Sequence, residues 1–598
     1  MVNTNAITIE LEEPVLHELQ DRSWRWHRDA AIALLLAFLA FAVRFNHLDF
    51  NSLSEDESAK WAAVQEYRQG HFAGVNSEHP MMLKVLAWGS LAAGEHWNRL
   101  ASLHSWPTMS PEGWLRFPNV LFGAATAAIL FLFCRRMIGV AGSFAAGFFW
   151  AVSPLAVALN RLAKEETALT FFTLLACYFY CRAQQEVSDE SARRWYDLSA
   201  IGFGLAFASQ YILHLLGLNA LAWLLAGRMG LTRNPSRFSY KRFFFVIFLT
   251  FILANPVVLF PSNFNAILHW LHHNGVTHTG YDFDGTLYLN FPSRLLAGVP
   301  WIYYFWLLLI KTPIPILVAV IAGSIMLLRE RRTLASCFFL AFGVLQLAGL
   351  SVSGAKWVRY SLPVLPFLFL AGGYAVQVTW NRMREKKMSL AFAGLTAATL
   401  FALPLLELHA WSPYTSFYLN SIGGGQKNIA RYFPQDEVSE FDTREVAQQV
   451  CSSADAGARL ATARPMTMTY YVDNCGRTDM EVVPLYDRRY QPHEGDMIVL
   501  EPSRRFFETQ RFFDTLGNSA MSHHEVRVGP VLASTIYLFD SSKPQTTGQG
   551  QWTLTQLRRS PSELETKTYR PDFRNMNAVL ASSASHGEGN DDSVFPRF

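Results

Sequence analysis

Residues 115–134 read LRFPNVLFGAATAAILFLFC and residues 137–159 read MIGVAGSFAAGFFWAVSPLAVAL, with only Arg135 and Arg136 between them. Each run is long enough to cross about 30 Å of hydrocarbon as a helix that rises about 1.5 Å per residue. The basic pair between them fits a short loop on the cytoplasmic side of a membrane. The two runs therefore predict a polytopic membrane protein whose spans are α-helices.

The composition of the whole chain agrees with that prediction. Hydrophobic residues make up 51% of the 598 residues and charged residues only 17%, which is more apolar surface than one water-soluble core normally hides. The net charge of +3 is small for this length, and the basic residues fall in short clusters between apolar runs, which argues against nucleic acid as a partner. A polar stretch precedes the first apolar run, so we expect that run to remain as an anchor and not to be a cleaved signal peptide.

Further apolar runs of membrane-spanning length occur at 30–48, 164–182, 242–261, 313–329, 333–352, 359–379 and 388–407. The run 198–227 is too long for one span and is interrupted by Gln210 and His214, so two short helices are predicted there. Together these runs predict about eleven spans. With that number every basic cluster between the spans lies in the cytoplasm, together with the N-terminus. The same parity places the C-terminal domain and two long loops, 49–114 and 261–312, outside.

Two moderately apolar stretches, 80–93 and 298–310, break this parity if they are counted as spans. Each is short and lies beside a charged residue, so we interpret them as helices lying along the outer interface. A re-entrant pair, with about thirteen spans in total, is the alternative.

The composition becomes that of a soluble α/β domain after the last apolar run. Strand-like runs at 480–484, 497–500 and 534–539 alternate with helical stretches such as 443–452. The predicted fold class is therefore an all-α polytopic membrane protein with a small C-terminal α/β extracytoplasmic domain. The predicted parts are a cytoplasmic segment 1–29, a membrane domain 30–410, the α/β domain 411–540 and a polar tail 541–598, expected to be poorly ordered.

Cys451 and Cys475 are the two cysteines of the polar C-terminal part, whereas the other four lie in or beside apolar runs. They are a candidate disulfide, which would require an oxidising compartment and so tests the predicted topology. The sequence equally allows two unrelated thiols.

The first outer loop (49–114) begins Asn51-Ser-Leu-Ser-Glu-Asp-Glu57. Asp56 and Glu57 follow directly after a predicted span, where a partly desolvated carboxylate gains the basicity needed to deprotonate an acceptor hydroxyl. The alternative is a solvated helix cap, with Ser52 or Ser54 as N-cap and Glu57 in the first turn. Further on, His79, Pro80 and Lys84 lie where an interfacial helix begins. Lys84 is placed to pair with a lipid phosphate or simply to snorkel to the headgroups.

The short outer loop (160–166) reads Asn160-Arg-Leu-Ala-Lys-Glu-Glu166 between two predicted spans. Packing Arg161, Lys164 and two glutamates into so small a space is costly unless they pair with each other or with a ligand. This loop is therefore a candidate binding or catalytic segment.

The second long loop (261–312) contains His272, His273, His278 and the acidic stretch Tyr281-Asp-Phe-Asp-Gly285. Histidines and carboxylates suggest a metal, but their spacing fits no compact ligand set, so a divalent ion such as Mg²⁺ or Mn²⁺ stays only an option. Cations also occur at outer helix ends, where they call for an anionic partner such as a lipid-linked phosphate or for headgroup anchoring: Arg294, Lys311, Lys356 and Arg359, the last beside Tyr360.

These motifs, in this order, resemble the dolichyl-phosphate-mannose protein mannosyltransferases and bacterial relatives such as the lipid A aminoarabinose transferases. All have the membrane-embedded C-type glycosyltransferase fold. The resemblance rests on Asp56-Glu57, on Glu78-His-Pro-Met-Met-Leu-Lys84, on Arg161-Leu-Ala-Lys-Glu-Glu166 and on Arg359-Tyr-Ser-Leu-Pro363, and it runs over roughly 30–410. It implies inverting transfer of a sugar such as mannose from a polyprenyl-phosphate carrier to a protein or glycolipid acceptor.

The resemblance also implies roles for individual residues. Asp56 would be the general base or acceptor-positioning carboxylate, Glu57 its neighbour, and Glu166 the acid of the short outer loop. The carrier phosphate and substrate would be held by His79, Lys84, Arg161, Lys164, Arg294, Lys356, Arg359 and Tyr360.

The sequence departs from the family at three places. His79-Pro-Met stands for the family's His-Pro-Pro, the loop acid Glu166 is an Asp in most relatives, and Gln210-Tyr211 stands where relatives often carry a lysine. The C-terminal part, with Gly423-Gly-Gly425, resembles extensions of bacterial members and favours a bacterial inner-membrane enzyme.

Two other classes of protein compete with the transferase. A transporter or lipid flippase would carry ionisable groups near the bilayer midplane and often show related halves, whereas the predicted spans here are nearly free of charge. A structural assembly protein would not need about eleven spans as an anchor. Convergence of Asp56 and Glu166 at one outer site favours the transferase.

Overall fold

The computed structural model describes residues 13–542 apart from 73, 233–237, 273–279, 293–294, 435–439, 488, 518, 520 and 530. Arg294, His273 and His278 lie outside these described residues, as do the tail beyond residue 542 and the first twelve residues of the N-terminal segment.

The first half of the chain is helical. Its helices are α1 Glu13–Phe45, α2 Glu55–Arg68, α3 Met81–His104, α4 Pro111–Cys134, α5 Val140–Val152, α6 Pro154–Asn160, α7 Glu165–Gln185, α8 Asp189–Ser209, α9 His214–Arg228, α10 Tyr240–Ala254 and α11 Pro261–His272. Helix α4 shows why they begin where they do: Ser110 is its N-cap and Pro111 its first residue, a position where the missing N–H costs nothing.

The helices continue up to the C-terminal domain. They are α12 Tyr303–Lys311, α13 Ile314–Arg329, α14 Leu334–Phe338, α15 Gln346–Val352, α16 Leu365–Glu385, α17 Leu390–Ala397 and α18 Leu403–Trp411. π-helical turns join α14 to α15 at Phe339–Leu345 and α17 to α18 at Ala398–Ala402, and a 3₁₀ segment, Val358–Val364, leads into α16.

Among the described residues four continuous helices are long and apolar enough to cross a membrane: Pro111–Cys134, Leu334–Val352, Val358–Glu385 and Leu390–Trp411. The pair α5 and α6, bent by 57° at Ser153, makes a fifth if it counts as one span. These helices confirm an integral membrane protein. Each predicted apolar run lies on a helix or helix pair, but the count of eleven to thirteen spans stays a prediction.

Two details of the predicted helices are confirmed. The long run 198–227 divides between α8 and α9, with the break at 210–213. The stretch 80–93 lies in α3, and the stretch 298–310 is helical from Tyr303 onward, as α12, whereas 298–302 are not helical. Helix α3 is longer than expected, continuing to His104.

Small residues allow the helices of the membrane domain to pack closely. A Cβ atom placed on Gly142 of α5 would lie 2.3 Å from the carbonyl oxygen of Gly373 in α16, and one on Gly373 would lie 2.4 Å from that of Gly142. Only glycine fits at this crossing, as is common where membrane helices approach backbone to backbone.

The C-terminal domain contains a five-stranded mixed sheet. In chain order its strands are β3 Arg459–Thr462, β4 Glu481–Pro484, β5 Met497–Leu500, β6 His523–Val528 and β7 Val531–Leu538, after a separate hairpin of β1 Tyr281–Phe283 and β2 Thr286–Tyr288 in the second long loop. The order in the sheet is β4-β3-β5-β7-β6, with β3 parallel to β4 and β5, and β7 antiparallel to both of its neighbours.

The helices of this domain are α19 Ile429–Tyr432, α20 Thr443–Ser453, α21 Pro465–Asn474 and α22 Gln510–Leu516. The predicted helical stretch 443–452 and the three predicted strands are all present. Cys451, on α20, is joined to Cys475, just after α21, in a disulfide with a Cα–Cα distance of 6.6 Å. The other four cysteines are free and buried.

Candidate functional site

An ion pair between Asp56 and Lys164 joins the first outer loop to the short outer loop. Asp56 is the second residue of α2, and Lys164 is the last residue before α7. The Lys164 side chain is only 4% exposed, whereas that of Asp56 is 35% exposed. Asp56 is thus a carboxylate that is both accessible to solvent and held beside a buried ammonium group.

A second pair lies one residue further along the short outer loop. Lys60 Nζ lies 2.9 Å from Glu165 Oε1, and both side chains are buried. His79 Nδ1 lies 4.0 Å from the same oxygen. Burial lowers the pKa of His79, against the opposing effect of Glu165. Sequence reasoning did not select Lys60, although its position four residues after Asp56 on one helix was a usable signal.

Glu166 contacts a third segment of the chain. Its Oε1 lies 3.2 Å from Arg359 Nε, and the Arg359 guanidinium lies over the rings of Trp357 and Tyr360, at 5.0 and 5.4 Å from their centroids. The other carboxylate oxygen of Glu166 is buried and has no hydrogen-bond partner in the described part of the chain. A buried acceptor of this kind calls for a donor from water or from a ligand.

Glu57, predicted to be catalytic, is enclosed. Its side chain is fully buried, and both oxygens accept hydrogen bonds from Arg116 at 2.8 Å. The backbone N–H groups of Ser54 and Ala163 also donate to it, at 2.9 and 2.8 Å. The helix-cap interpretation therefore describes Glu57 correctly, except that the cap is buried and not solvated. With its oxygens occupied, Glu57 positions the two loops relative to each other.

Two further side chains hold the short outer loop, in which every residue is buried. Asn119 of α4 donates to the carbonyl oxygens of Leu162 and Lys164, at 2.5 and 2.7 Å. Arg44, at the end of α1, donates to Asn160 Oδ1 at 2.9 Å. Hydrogen bonds of this kind fix a functional loop on a rigid scaffold.

Lys84, predicted to meet a lipid phosphate or to snorkel, is turned inward. It is 2% exposed, and its Nζ donates to the carbonyl oxygens of Asn76 and His79, at 2.5 and 3.1 Å. Asn76 has a positive φ of 59°, which closes the turn that ends at His79. Burial lowers the pKa of Lys84 to about 8. Lys84 thus fixes the position of His79, which corrects the snorkelling interpretation.

Arg161 and Lys356 also bind backbone carbonyls. Arg161 donates to His47 and, at 3.1 Å, to Pro413, so it ties the short outer loop to the start of the C-terminal domain. Burial lowers its pKa to about 10. Lys356 donates to the carbonyl of Ser353, and burial lowers its pKa to about 8. Of the predicted phosphate ligands within the described residues, Lys164, Arg359 and Tyr360 lie around Asp56 and Glu166, and His79 lies beside Glu165.

The described residues contain no group of three or more His, Cys, Asp or Glu side chains that could hold a metal ion. His273 and His278 are outside that part of the chain, so the optional divalent metal stays a prediction.

A cavity of about 310 Å³ lies elsewhere, lined by Arg193, Tyr196, Asp197, Phe238, Ser239, Arg242 and Phe243. It is at the N-terminal ends of α8 and α10. Tyr196 is fourteen residues before Gln210, which places the cavity roughly 20 Å along α8 from the helix end that leads to Tyr211. Tyr211 contacts Asn255, which in turn accepts from the first residue of α3. The cavity is thus at the opposite end of these helices from the grouped acids.

Residues 108–260 match the family model described as dolichyl-phosphate-mannose-protein mannosyltransferase. This segment includes the short outer loop, Arg116 and Asn119. No curated protein matches the chain. The resemblance inferred from the loop motifs is thus confirmed for the part of the chain that holds the centre of the site.

Solved structures also resemble the chain, at low identity. The crystal structure of ArnT from Cupriavidus metallidurans bound to undecaprenyl phosphate is 14% identical, covers 85% of this chain and 98% of its own, and has a TM-score of 0.48. The Archaeoglobus fulgidus oligosaccharyltransferase tethered with an acceptor peptide is 10% identical, with coverages of 76% and 64% and a TM-score of 0.44. The structure of the S. cerevisiae Pmt1-Pmt2 complex bound to the sugar donor is 17% identical. The match covers 44% of this chain and 39% of that chain, and the TM-score is 0.28. Structural similarity at this level does not bear on function. The family-model match over 108–260 and the geometry of the site do.

Proposed function

We propose that this chain, whose residues 108–260 match the dolichyl-phosphate-mannose-protein mannosyltransferase family model, transfers a sugar from a polyprenyl-phosphate carrier to an acceptor on the outer face of the membrane. The observation that carries the proposal is the grouping of acids and cations around the short outer loop. Within three consecutive residues, Lys164 pairs with Asp56, Glu165 with Lys60 and Glu166 with Arg359.

In the proposed reaction an acceptor oxygen attacks C1 of the sugar. The bond from C1 to the carrier phosphate breaks, the phosphate leaves with the electron pair, and the acceptor proton passes to Asp56. Asp56 suits this role because it is the accessible carboxylate of the group and is held in place by its ion pair with Lys164.

Cations of the same group would stabilise the leaving phosphate. The candidate is Arg359, whose side chain is 16% exposed, pairs with Glu166 and lies over the ring of Tyr360. Its planar guanidinium matches the geometry of a phosphate. The unpartnered oxygen of Glu166 would accept a hydrogen bond from a sugar hydroxyl.

The finer assignments extend the same proposal. The sugar is a hexose such as mannose or a pentose, and the acceptor is a protein hydroxyl or a glycolipid, as in protein O-glycosylation or lipid A modification. We place the enzyme in a bacterial inner membrane, with residues 1–29 in the cytoplasm and the 411–540 domain in the periplasm. The disulfide between Cys451 and Cys475 fits an oxidising compartment.

A donor and acceptor screen tests the proposal. Purified protein in lipid nanodiscs is incubated with polyprenyl-phosphate mannose and polyprenyl-phosphate aminoarabinose, each with a Ser/Thr-rich peptide or a lipid A acceptor. Products are identified by mass spectrometry. Transfer from one donor, with release of the polyprenyl phosphate, supports the proposal. Movement of the lipid across the bilayer without transfer would instead favour a flippase.

A further inference from the structure

The C-terminal domain caps the helix that carries Asp56. The N–H groups at the start of a helix have no partner within the helix itself. Here the N–H of Glu55, the first residue of α2, donates to Glu440 Oε2 at 2.9 Å. The N–H of Leu53, which precedes the N-cap residue Ser54, donates to the hydroxyl of Tyr471 at 2.8 Å. Both acceptors belong to the C-terminal domain, more than 380 residues further along the chain.

An arginine bridges the same two segments. Arg504 Nη1 lies 2.7 Å from Glu55 Oε2, and its Nη2 contacts Glu440. The Arg504 side chain is only 9% exposed. A planar guanidinium can hold two carboxylates at once in a fixed geometry, which a lysine ammonium cannot reproduce.

Arg504 lies at one edge of the five-stranded sheet. Arg504 follows β5, and Arg464 follows the neighbouring parallel strand β3, so both emerge at the carboxyl edge of these strands. Arg464 lies 2.6 Å from Glu501 and 2.9 Å from Asp442, all three being buried. The backbone N–H of Arg504 donates to the backbone carbonyl oxygen of Glu501 at 2.8 Å. Ligand sites of open α/β sheets often lie at the carboxyl ends of the strands. In this domain the residues at that edge contact the start of α2.

We propose that Arg504 and Glu440 are positioning residues that orient Asp56 through Glu55, so that the C-terminal domain sets the geometry of the transfer site. Asp56 directly follows Glu55 in the first turn of α2. A rotation of that turn would move the Asp56 carboxylate relative to Lys164 and the reacting atoms. This inference rests on the proposed function.

Steady-state kinetics of Arg504→Met and Glu440→Gln test it. Because a shift of about 1 Å in a reacting group can cost about a hundredfold in rate, we expect kcat to fall about 10- to 100-fold, with KM for the donor changed less than about twofold. Arg504→Lys should retain more kcat than Arg504→Met, since it keeps the charge and one contact. The matched control is Arg527→Met, which breaks an exposed pair with Glu525 in the same domain and should leave kcat unchanged.

Hydrogen exchange of the peptide 52–60 gives a readout that does not need activity. Disruption of the contacts among Arg504, Glu440 and Glu55 in Arg504→Met or Glu440→Gln should speed exchange of the Glu55 amide while the sheet strands stay protected. Wild-type kcat in folded Arg504→Met and Glu440→Gln, or unchanged exchange in both, would overturn the inference. If the wild-type protein transfers no sugar from any donor, the proposed function fails, and the exchange data alone decide whether the domain orients α2.

Discussion

Lys164 and Asp56 form a salt bridge between two loops that lie about a hundred residues apart in the chain. The same short loop pairs Glu165 with Lys60 and Glu166 with Arg359. Because the backbone of this loop is held by Asn119, its side chains have fixed directions. The acids and cations that looked scattered in the sequence are thereby gathered around one segment.

Replacing Glu57 by Gln should destabilise the protein more than it harms the chemistry. The change leaves the Arg116 guanidinium buried with a neutral partner, and breaking a buried pair of this kind costs about 3 kcal/mol or more. Denaturant unfolding in detergent measures the loss. Unaltered stability together with a complete loss of transfer would instead return Glu57 to a catalytic role.

Substituting Arg359 by Ala should weaken binding of the carrier phosphate. A charged hydrogen bond to an anion is worth about 1.5–3 kcal/mol, so the affinity for a polyprenyl phosphate should fall about 10- to 100-fold. Equilibrium titration gives the value, with Arg489→Ala, an exposed arginine of the C-terminal domain, as control. Equal affinities in the two variants would remove Arg359 from the phosphate site.

The stability of the protein should depend on pH through Lys84. Its pKa in the folded state is lowered to about 8, below the ordinary value of a lysine, so between these two values the unfolded chain binds more protons. The contribution of Lys84 to the free energy of unfolding therefore increases as the pH rises above about 8, by at most about 1.4 kcal/mol per pH unit. Denaturant unfolding of wild type and Lys84→Met from about pH 7 to about pH 10 isolates the effect. A difference between them that does not change with pH would contradict the prediction.

Thiol labelling tests the side of the membrane on which the C-terminal domain lies. In a variant whose four free cysteines are replaced by alanine, Cys451 and Cys475 should resist a maleimide until a reductant is added. Both thiols would react at once if the domain were in the reducing cytoplasm. Cys475→Ser should also lower the stability by about 2–4 kcal/mol.

The positions of the helices and of three strands could be predicted because hydrophobic runs and their interruptions are local signals. The break between α8 and α9 at Gln210 is the clearest example. Strands β3 and β6 were missed because the first has only four residues, RLAT, and the second, HHEVRV, is a largely polar edge strand. The first is too short to show the alternation that marks a half-buried strand, and the second shows it only over 525–528.

The sequence indicated the acids of the candidate site but not the partners that the structure gives them. Asp56, Glu166 and Arg359 were selected from their places at helix ends, yet nothing local shows that Glu57 meets Arg116 or that Arg504 meets Glu55. Such pairs depend on tertiary packing. One signal was available: an arginine inside an apolar run, as Arg116 is, requires a buried partner.

The most direct test of the account is single-turnover sugar transfer by Asp56→Asn. The substitution keeps the shape of the side chain and removes the proton acceptor, so transfer should slow by about 10²- to 10⁴-fold. The protein should be somewhat less stable, because Lys164 loses its ion pair with Asp56, but it should still fold and bind the carrier with near wild-type affinity. Asp473→Asn, an exposed carboxylate of α21, is the matched control and should transfer normally. Wild-type turnover in Asp56→Asn would contradict the account.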